Sequence, residues 1–216
     1  MVPRRTFLQF DDLIQQRVYT NPNPLVRWIF WRRLASLLRF SDEVDPNRAL
    51  DFGCGEGAFL PTLCGRFHAV LAVDLNVAAA RQLATHYQLG NLSLLEARAP
   101  GLPFDDGAFD FIVAADVLEH LRDLEPVVKE LHRVLSPRGR LVISAPSENL
   151  FYEVGRKVFG FTKPDDHFHT PQDIESILGR HFDLRQKTFL PLNLFEAASA
   201  FVLLSLRKSP EGVTPP

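Results

Sequence analysis

Ala49-Leu50-Asp51-Phe52-Gly53-Cys54-Gly55-Glu56-Gly57-Ala58-Phe59 runs from a short apolar strand into a glycine-rich turn and out into a helix. Glycine lets bare backbone come close to a ligand, and the first turn of a helix presents unpaired N–H groups, so such a turn is a natural docking point. The next apolar run, Ala69-Val70-Leu71-Ala72-Val73, stops at Asp74. From Arg48 onward, short β-rich runs alternate with helical stretches, the pattern of a parallel sheet covered by helices on both faces. The expected strands are Ala49–Phe52, Ala69–Val73, Leu92–Leu95, Phe109–Ala114, Arg140–Ser144, Phe182–Phe189 and Ala200–Arg207. Helices are expected at Ala58–Gly65, Val77–Tyr87, Leu124–Leu135 and Gln172–Leu178, the last capped by Thr170 with Pro171 at its first position. Too little chain separates the last two strands for a crossover, so they should pair antiparallel.

Before this core, Asn21-Pro22-Asn23-Pro24 breaks the chain between two helical segments, Phe7–Tyr19 and Pro24–Phe40. In the second, Phe30, Trp31, Leu34, Leu37 and Leu38 share a face with Trp28, opposite Arg32, Ser36 and Arg39, while Arg27 interrupts the pattern. The 216 residues fit one domain, and 46% hydrophobic against 23% charged residues predicts a packed core. A net charge of −2 offers no field for gathering nucleic acid, so no nucleic-acid partner is expected. Cys54 and Cys64 make no disulfide framework or metal motif, which points to a reducing, cytoplasmic setting. Neither a signal peptide nor a membrane span is expected, since the apolar stretch Phe189–Leu206 is interrupted by Pro191, Asn193 and Glu196.

The spacing of Gly53, Gly55 and Ala58 satisfies a dinucleotide-binding fingerprint, so the turn alone leaves a nicotinamide cofactor and S-adenosylmethionine both open. Charge separates them. A pyrophosphate docked here would face the carboxylates of Asp51 and Glu56, whereas S-adenosylmethionine has no phosphate and carries ammonium and sulfonium cations. Asp74, at the next strand end, is placed to accept both ribose hydroxyls of an adenosine moiety in either case.

Five segments in order then carry a resemblance: Asp51-Phe-Gly-Cys-Gly-Glu-Gly57, Val73-Asp-Leu75, Leu102-Pro-Phe-Asp-Asp-Gly-Ala-Phe-Asp110, Asp116-Val-Leu-Glu-His120 and Val134-Leu-Ser-Pro-Arg-Gly-Arg-Leu-Val142. Over roughly Arg48 to Pro146 the chain resembles class I S-adenosylmethionine-dependent methyltransferases of the type 11 group, which includes quinone-ring and lipid methyltransferases. The resemblance implies an α/β fold: a Rossmann-like, seven-stranded, mostly parallel sheet with a C-terminal antiparallel hairpin and an N-terminal helical lid. It divides the single domain into a helical extension (1–44), a cofactor-binding core (45–146), an acceptor-side insertion with the last two strands (147–208) and a flexible tail (209–216). It implies that Gly53, Gly55 and Gly57 line the methionine and ribose, with Cys54 as a small residue of the turn. Asp74 and Leu75 would meet the ribose side, and Asp116 would sit beside the cofactor. Many relatives place an Asp four residues before Leu-Pro-Phe to meet the adenine amino group. This chain has Arg98 there, which shifts the expected adenine contact to the backbone of Ala99 or to Glu96.

A sulfonium is already an activated methyl donor, so the expected task of the protein is to align donor with acceptor and exclude water. An oxygen or nitrogen acceptor also needs a proton removed, and His120, His167 and His169 are the candidate acceptors of it. No metal is expected: His167 and His169 lack an evident third ligand nearby, and Glu119 reads as a solvated helix-start residue. Phe151, Tyr152, Val154, Phe159, Phe161 and Phe168 crowd the region where the acceptor is expected, which suits a hydrophobic small molecule such as a quinone precursor or lipid-like metabolite. The first forty residues hold seven Arg against two Asp. With Trp28 to Trp31 beside Arg32 and Arg33, the second helix reads as a lid over the cleft, or as an interfacial helix in peripheral contact with an anionic membrane. The alternatives to methyl transfer are a nicotinamide-dependent oxidoreductase and a non-catalytic adenosine-binding scaffold.

Overall fold

A computed structural model of the chain describes residues 18–159, 166–192 and 196–209. Helix α1 (Pro24–Arg39) precedes β1 (Arg48–Phe52), α2 (Leu60–Cys64), β2 (Ala69–Asp74), α3 (Ala78–His86), β3 (Leu92–Glu96) and β4 (Phe109–Ala115). Then follow α4 (Leu124–Val134), β5 (Leu135–Pro146), α5 (Leu150–Val158), α6 (Pro171–Leu178), β6 (Phe182–Leu190) and β7 (Phe201–Lys208). Of the expected helix Phe7–Tyr19 only Val18 and Tyr19 are described, and they form a turn; the rest of it, Phe161 and the tail beyond Ser209 lie outside the described residues.

The seven strands form one sheet in the order β3-β2-β1-β4-β5-β7-β6. The first five are parallel, and β7 inserts antiparallel between β5 and β6. Period-2 alternation assigns the two cores. Leu50, Phe52, Ile112 and Ala114 face one layer with Leu124, Leu131 and Ile174. Ala49, Val70, Phe111 and Val113 face the other, with Leu34, Leu60 and Leu83. The sheet therefore lies between α1 to α3 on one side and α4 and α6 on the other.

Local chemistry explains the ends. Asn23 caps α1 by accepting from Leu25 N–H, with Pro24 in the first turn. Thr170 and Asp173 cap α6 reciprocally, a capping box with Pro171 at the first position. Three expectations need correction. The helix expected over Ala58–Gly65 is only Leu60–Cys64, because Gly57 and Ala58 remain in the turn. The strand expected as Arg140–Ser144 extends to Leu135–Pro146, since Leu135 already pairs with Phe109 across an irregularity. Residues of the expected acceptor region form a helix of their own, α5, capped by the Asn149 side chain on Tyr152 N–H at 2.8 Å. This topology gathers the exits of β1, β2 and β4 at one edge of the sheet, where the order reverses between β1 and β4.

Candidate functional site

The turn after β1 is held by main-chain bonds. Gly53 and Cys54 N–H donate to Val73 O at 2.8 and 3.2 Å, pinning the turn to β2. Gly53 sits at φ 75°, and a methyl group there would run into the Val117 side chain beyond β4. Gly55 N–H donates to Asp74 Oδ2 at 2.8 Å and Asn76 N–H to Oδ1 at 3.2 Å, so the Asp74 carboxylate is fixed by two main-chain donors. Asp51 is buried, and burial followed by the Asp74 charge pushes its carboxyl up to about 7. The carboxylates of Asp51, Asp74 and Asp116 border a single cavity of roughly 270 Å³.

Asp116 occupies a left-handed conformation, φ 55°, unusual for a residue with a side chain. Its N–H donates to Ser144 O at 2.9 Å, and Ser144 Oγ donates to its Oδ1 at 2.7 Å. The other oxygen forms an ion pair with Arg33 of α1. Arg33 is buried, donates from Nη2 to Tyr19 Oη at 2.6 Å, and places its guanidinium 4.9 Å from the Phe201 ring centre. Helix α1 is thus latched across the exit of β4 by a charged group. The sequence reading left Arg33 on neither face of the helix; the structure buries it, with Val26, Leu34 and Leu37, on the inner side of α1.

Of the residues singled out in the sequence, Asp51, Gly53, Cys54, Gly55, Asp74, Asp116 and His120 line the cavity. Burial, then Asp51 and Asp74, push the Cys54 thiol far up, which keeps it protonated and unreactive. Gly57 instead packs beside Leu60 and Ala80 at φ 85°. Leu75 is exposed, Arg98 is exposed and Ala99 packs on the core, all three outside the cavity wall. Tyr19, Phe30, Arg33 and Leu34 line it without having been singled out as site residues. For Phe30 and Leu34 the signal in the sequence was the amphipathic face of α1.

The histidines divide. His120, in a single 3₁₀ turn after β4, and His167 stack edge to face with ring centres 4.8 Å apart. His167 Nδ1 lies 2.5 Å from Glu148 Oε1, and His120 Nδ1 lies 3.1 Å from Asp166 Oδ2. His169 stays apart, near the start of α6. Glu119 is 1% exposed rather than solvated, and burial pushes its carboxyl up to about 7.

The donor set tests the cofactor. Four acidic residues around the cavity, Asp51, Glu56, Asp74 and Asp116, suit a nucleoside bearing cations, and Asp51 regains its charge when a cation lies beside it. A pyrophosphate would meet an excess of like charge there, since the one lining cation, Arg33, is already paired with Asp116. The glycine cradle and Asp74 fit an adenosine ribose, so the residues present fit S-adenosylmethionine.

Comparison with known proteins agrees. The family model for the methyltransferase domain matches residues 50–143. The chain is 38% identical over 118 residues to the demethylmenaquinone methyltransferase of Thermus thermophilus, covering 52% of this chain and 52% of that protein. It is 34% identical over 125 residues to the malonyl-[acyl-carrier protein] O-methyltransferase of Geobacter sulfurreducens, covering 56% and 46%. The chain thus spans about half the length of the curated relatives it matches. Among solved structures, N-methyltransferase NodS from Bradyrhizobium japonicum in complex with S-adenosyl-L-homocysteine is similar with a TM-score of 0.68 and 19% identity, covering 96% of this chain and 99% of that one. The fold is shared on that evidence. The match to the methyltransferase-domain family covers residues 50–143, and it favours S-adenosylmethionine over the nicotinamide alternative.

Proposed function

We propose that this chain, its core that of a type 11 methyltransferase, transfers a methyl group from S-adenosylmethionine to a small, hydrophobic acceptor. The observation that carries the acceptor's character is a second cavity of roughly 300 Å³, lined by Val26, Ile29, Phe151, Phe159 and Phe201, with Phe30 on the wall of both cavities. An apolar acceptor seated there lies one side chain away from the donor site. A quinone precursor or a lipid-like metabolite has that character.

Bound S-adenosylmethionine supplies a methyl group on a positively charged sulfur. The residues of the chain do the rest. Asp74, its carboxylate fixed by the Gly55 and Asn76 N–H groups, would hold the ribose, and Asp51 and Asp116 would balance the positive charge. Arg33 closes α1 over the site and reduces access of water. Transfer breaks the sulfur–methyl bond, forms the acceptor–methyl bond and releases the acceptor's proton. His120, on the cavity wall, is the histidine we assign to receive that proton.

The mouth of the apolar cavity supports peripheral contact with a lipid surface: Leu25 of α1 and Leu150, Val154 and Val158 of α5 are exposed beside Lys157. No helix of the described residues is long and apolar enough to cross a membrane.

The test follows label from methyl-tritiated S-adenosylmethionine into an organic extract of small metabolites. The expected result is extractable label with the wild-type protein and loss of it with Asp74→Ala. Label confined to water-soluble or macromolecular fractions contradicts a hydrophobic small acceptor.

A further inference from the structure

Glu119 is the most isolated charge-bearing side chain near the site. It is 1% exposed, and neither carboxylate oxygen has a hydrogen-bond partner among the described residues. A buried, unpaired carboxyl is costly, and it calls for a partner such as a bound ion or water. Beside it stand two imidazoles. One ligand atom each from Glu119, His120 and His167 lie within 4.8 Å of one another.

The surroundings select the ligand. Glu148 takes one ring nitrogen of His167 at 2.5 Å, and Asp166 lies 3.1 Å from His120. A carboxylate behind an imidazole fixes its ring and raises the basicity of the opposite nitrogen, the arrangement that orients metal-bound histidines. The nearby cation, Arg33, is already held by Asp116 and Tyr19. Two imidazoles and a carboxylate, backed by two further carboxylates, suit a divalent cation better than an anion or a neutral ligand.

We propose that Glu119, His120 and His167 form a binding site for one first-row divalent cation, of the zinc or manganese kind. Ligand atoms about 2.0–2.2 Å from such an ion stand roughly 3–4 Å apart, so side-chain rotation closes the remaining gap. Nitrogen makes up two of the three donors, which disfavours magnesium and calcium. His120 also lines the donor cavity, so the ion would sit at its border, where it would hold an acceptor hydroxyl and lower that group's pKa. That last consequence rests on the methyl-transfer reading and, with the ion bound, would replace proton acceptance by His120, while the cation site itself stands on the cluster alone.

The test is titration of metal-free protein with Zn²⁺ and with Mn²⁺, read by calorimetry and by metal content after dialysis. Wild type should retain one ion per chain. Glu119→Gln, which preserves shape and removes a buried charge, and His167→Gln should each bind at least about tenfold more weakly. His86→Ala, on an exposed helix end, should bind as wild type does. Absence of stoichiometric binding by the wild-type protein, or equal binding by Glu119→Gln and His167→Gln, overturns the proposal. S-Adenosylhomocysteine titrated into the metal-free protein reports separately on the cofactor site, so failure of the cation site and failure of the methyl-transfer reading remain distinguishable.

Discussion

Asp51 shows how one side chain trades stability for binding. Its carboxyl is pushed up to about 7 by burial and by Asp74, so between about pH 4 and 7 the folded chain holds a proton that the unfolded chain has lost. Stability of the ligand-free protein should therefore fall as pH rises through this window. Asp51→Asn should flatten much of that fall in thermal melts and bind the donor roughly tenfold more weakly; an unchanged pH slope would contradict the assignment. Glu119, raised by the same cause, should supply part of the slope that remains. Exposed Asp173 is shifted the other way by its Thr170 hydrogen bonds, and its contribution is lost only at more acid pH. Gly53→Ala meets Val117 at a positive φ and should cost about 1–3 kcal/mol in denaturant unfolding. Gly90→Ala, where an added Cβ meets nothing within 4 Å, should be close to neutral. At this scale the sequence made the Asp51–Gly53–Asp74 set legible, because strand, turn and strand end are local patterns. Arg33 and Glu119 were not legible. A basic residue in an arginine-rich helix and a carboxylate before a histidine look solvated until long-range packing buries them.

Among the elements, α1 decides how the site is closed. Leu34 and Leu37 bury fully against the sheet, so Leu37→Ala should destabilise the protein by about 2–4 kcal/mol. Arg33→Met keeps much of the bulk and removes the latch on Asp116. It leaves the Asp116 carboxylate without its cation, so it should lower the melting temperature, speed amide exchange in α1 and reduce turnover; unaltered exchange in α1 would contradict the latch. The strands were readable from period-2 apolar runs, and α6 from its Thr170-Pro171 start. Helix α5 was missed because its aromatic residues suggested a pocket wall, and they serve both purposes: Phe151, Tyr152 and Phe159 lie on or just past α5 and line the apolar cavity. The early end of β5 was missed because Pro137 and Gly139 interrupt the apolar run, yet Leu135 still pairs with Phe109.

Across the whole molecule, two cavities share Phe30 at the edge where β1 and β4 diverge, one bordered by carboxylates and the other apolar. The division of labour predicts separable defects. Phe159→Asp, confined to the apolar cavity, should raise KM for a hydrophobic acceptor while leaving S-adenosylhomocysteine affinity as in wild type. The parallel sheet and the donor cavity follow from patterns spread over the central hundred or so residues, and the antiparallel ending from the short link between the last two strands. The pairing of His120 with His167 joins segments on opposite sides of β5, and no local spacing announces it. The measurement that bears most directly on the account is calorimetric titration with S-adenosylmethionine, S-adenosylhomocysteine and NADH, on wild type and on Asp74→Ala. Saturable binding of the first two, weakened roughly tenfold or more by the substitution and absent for NADH, is the expected result. Binding of NADH alone, or of none of the three, would contradict it.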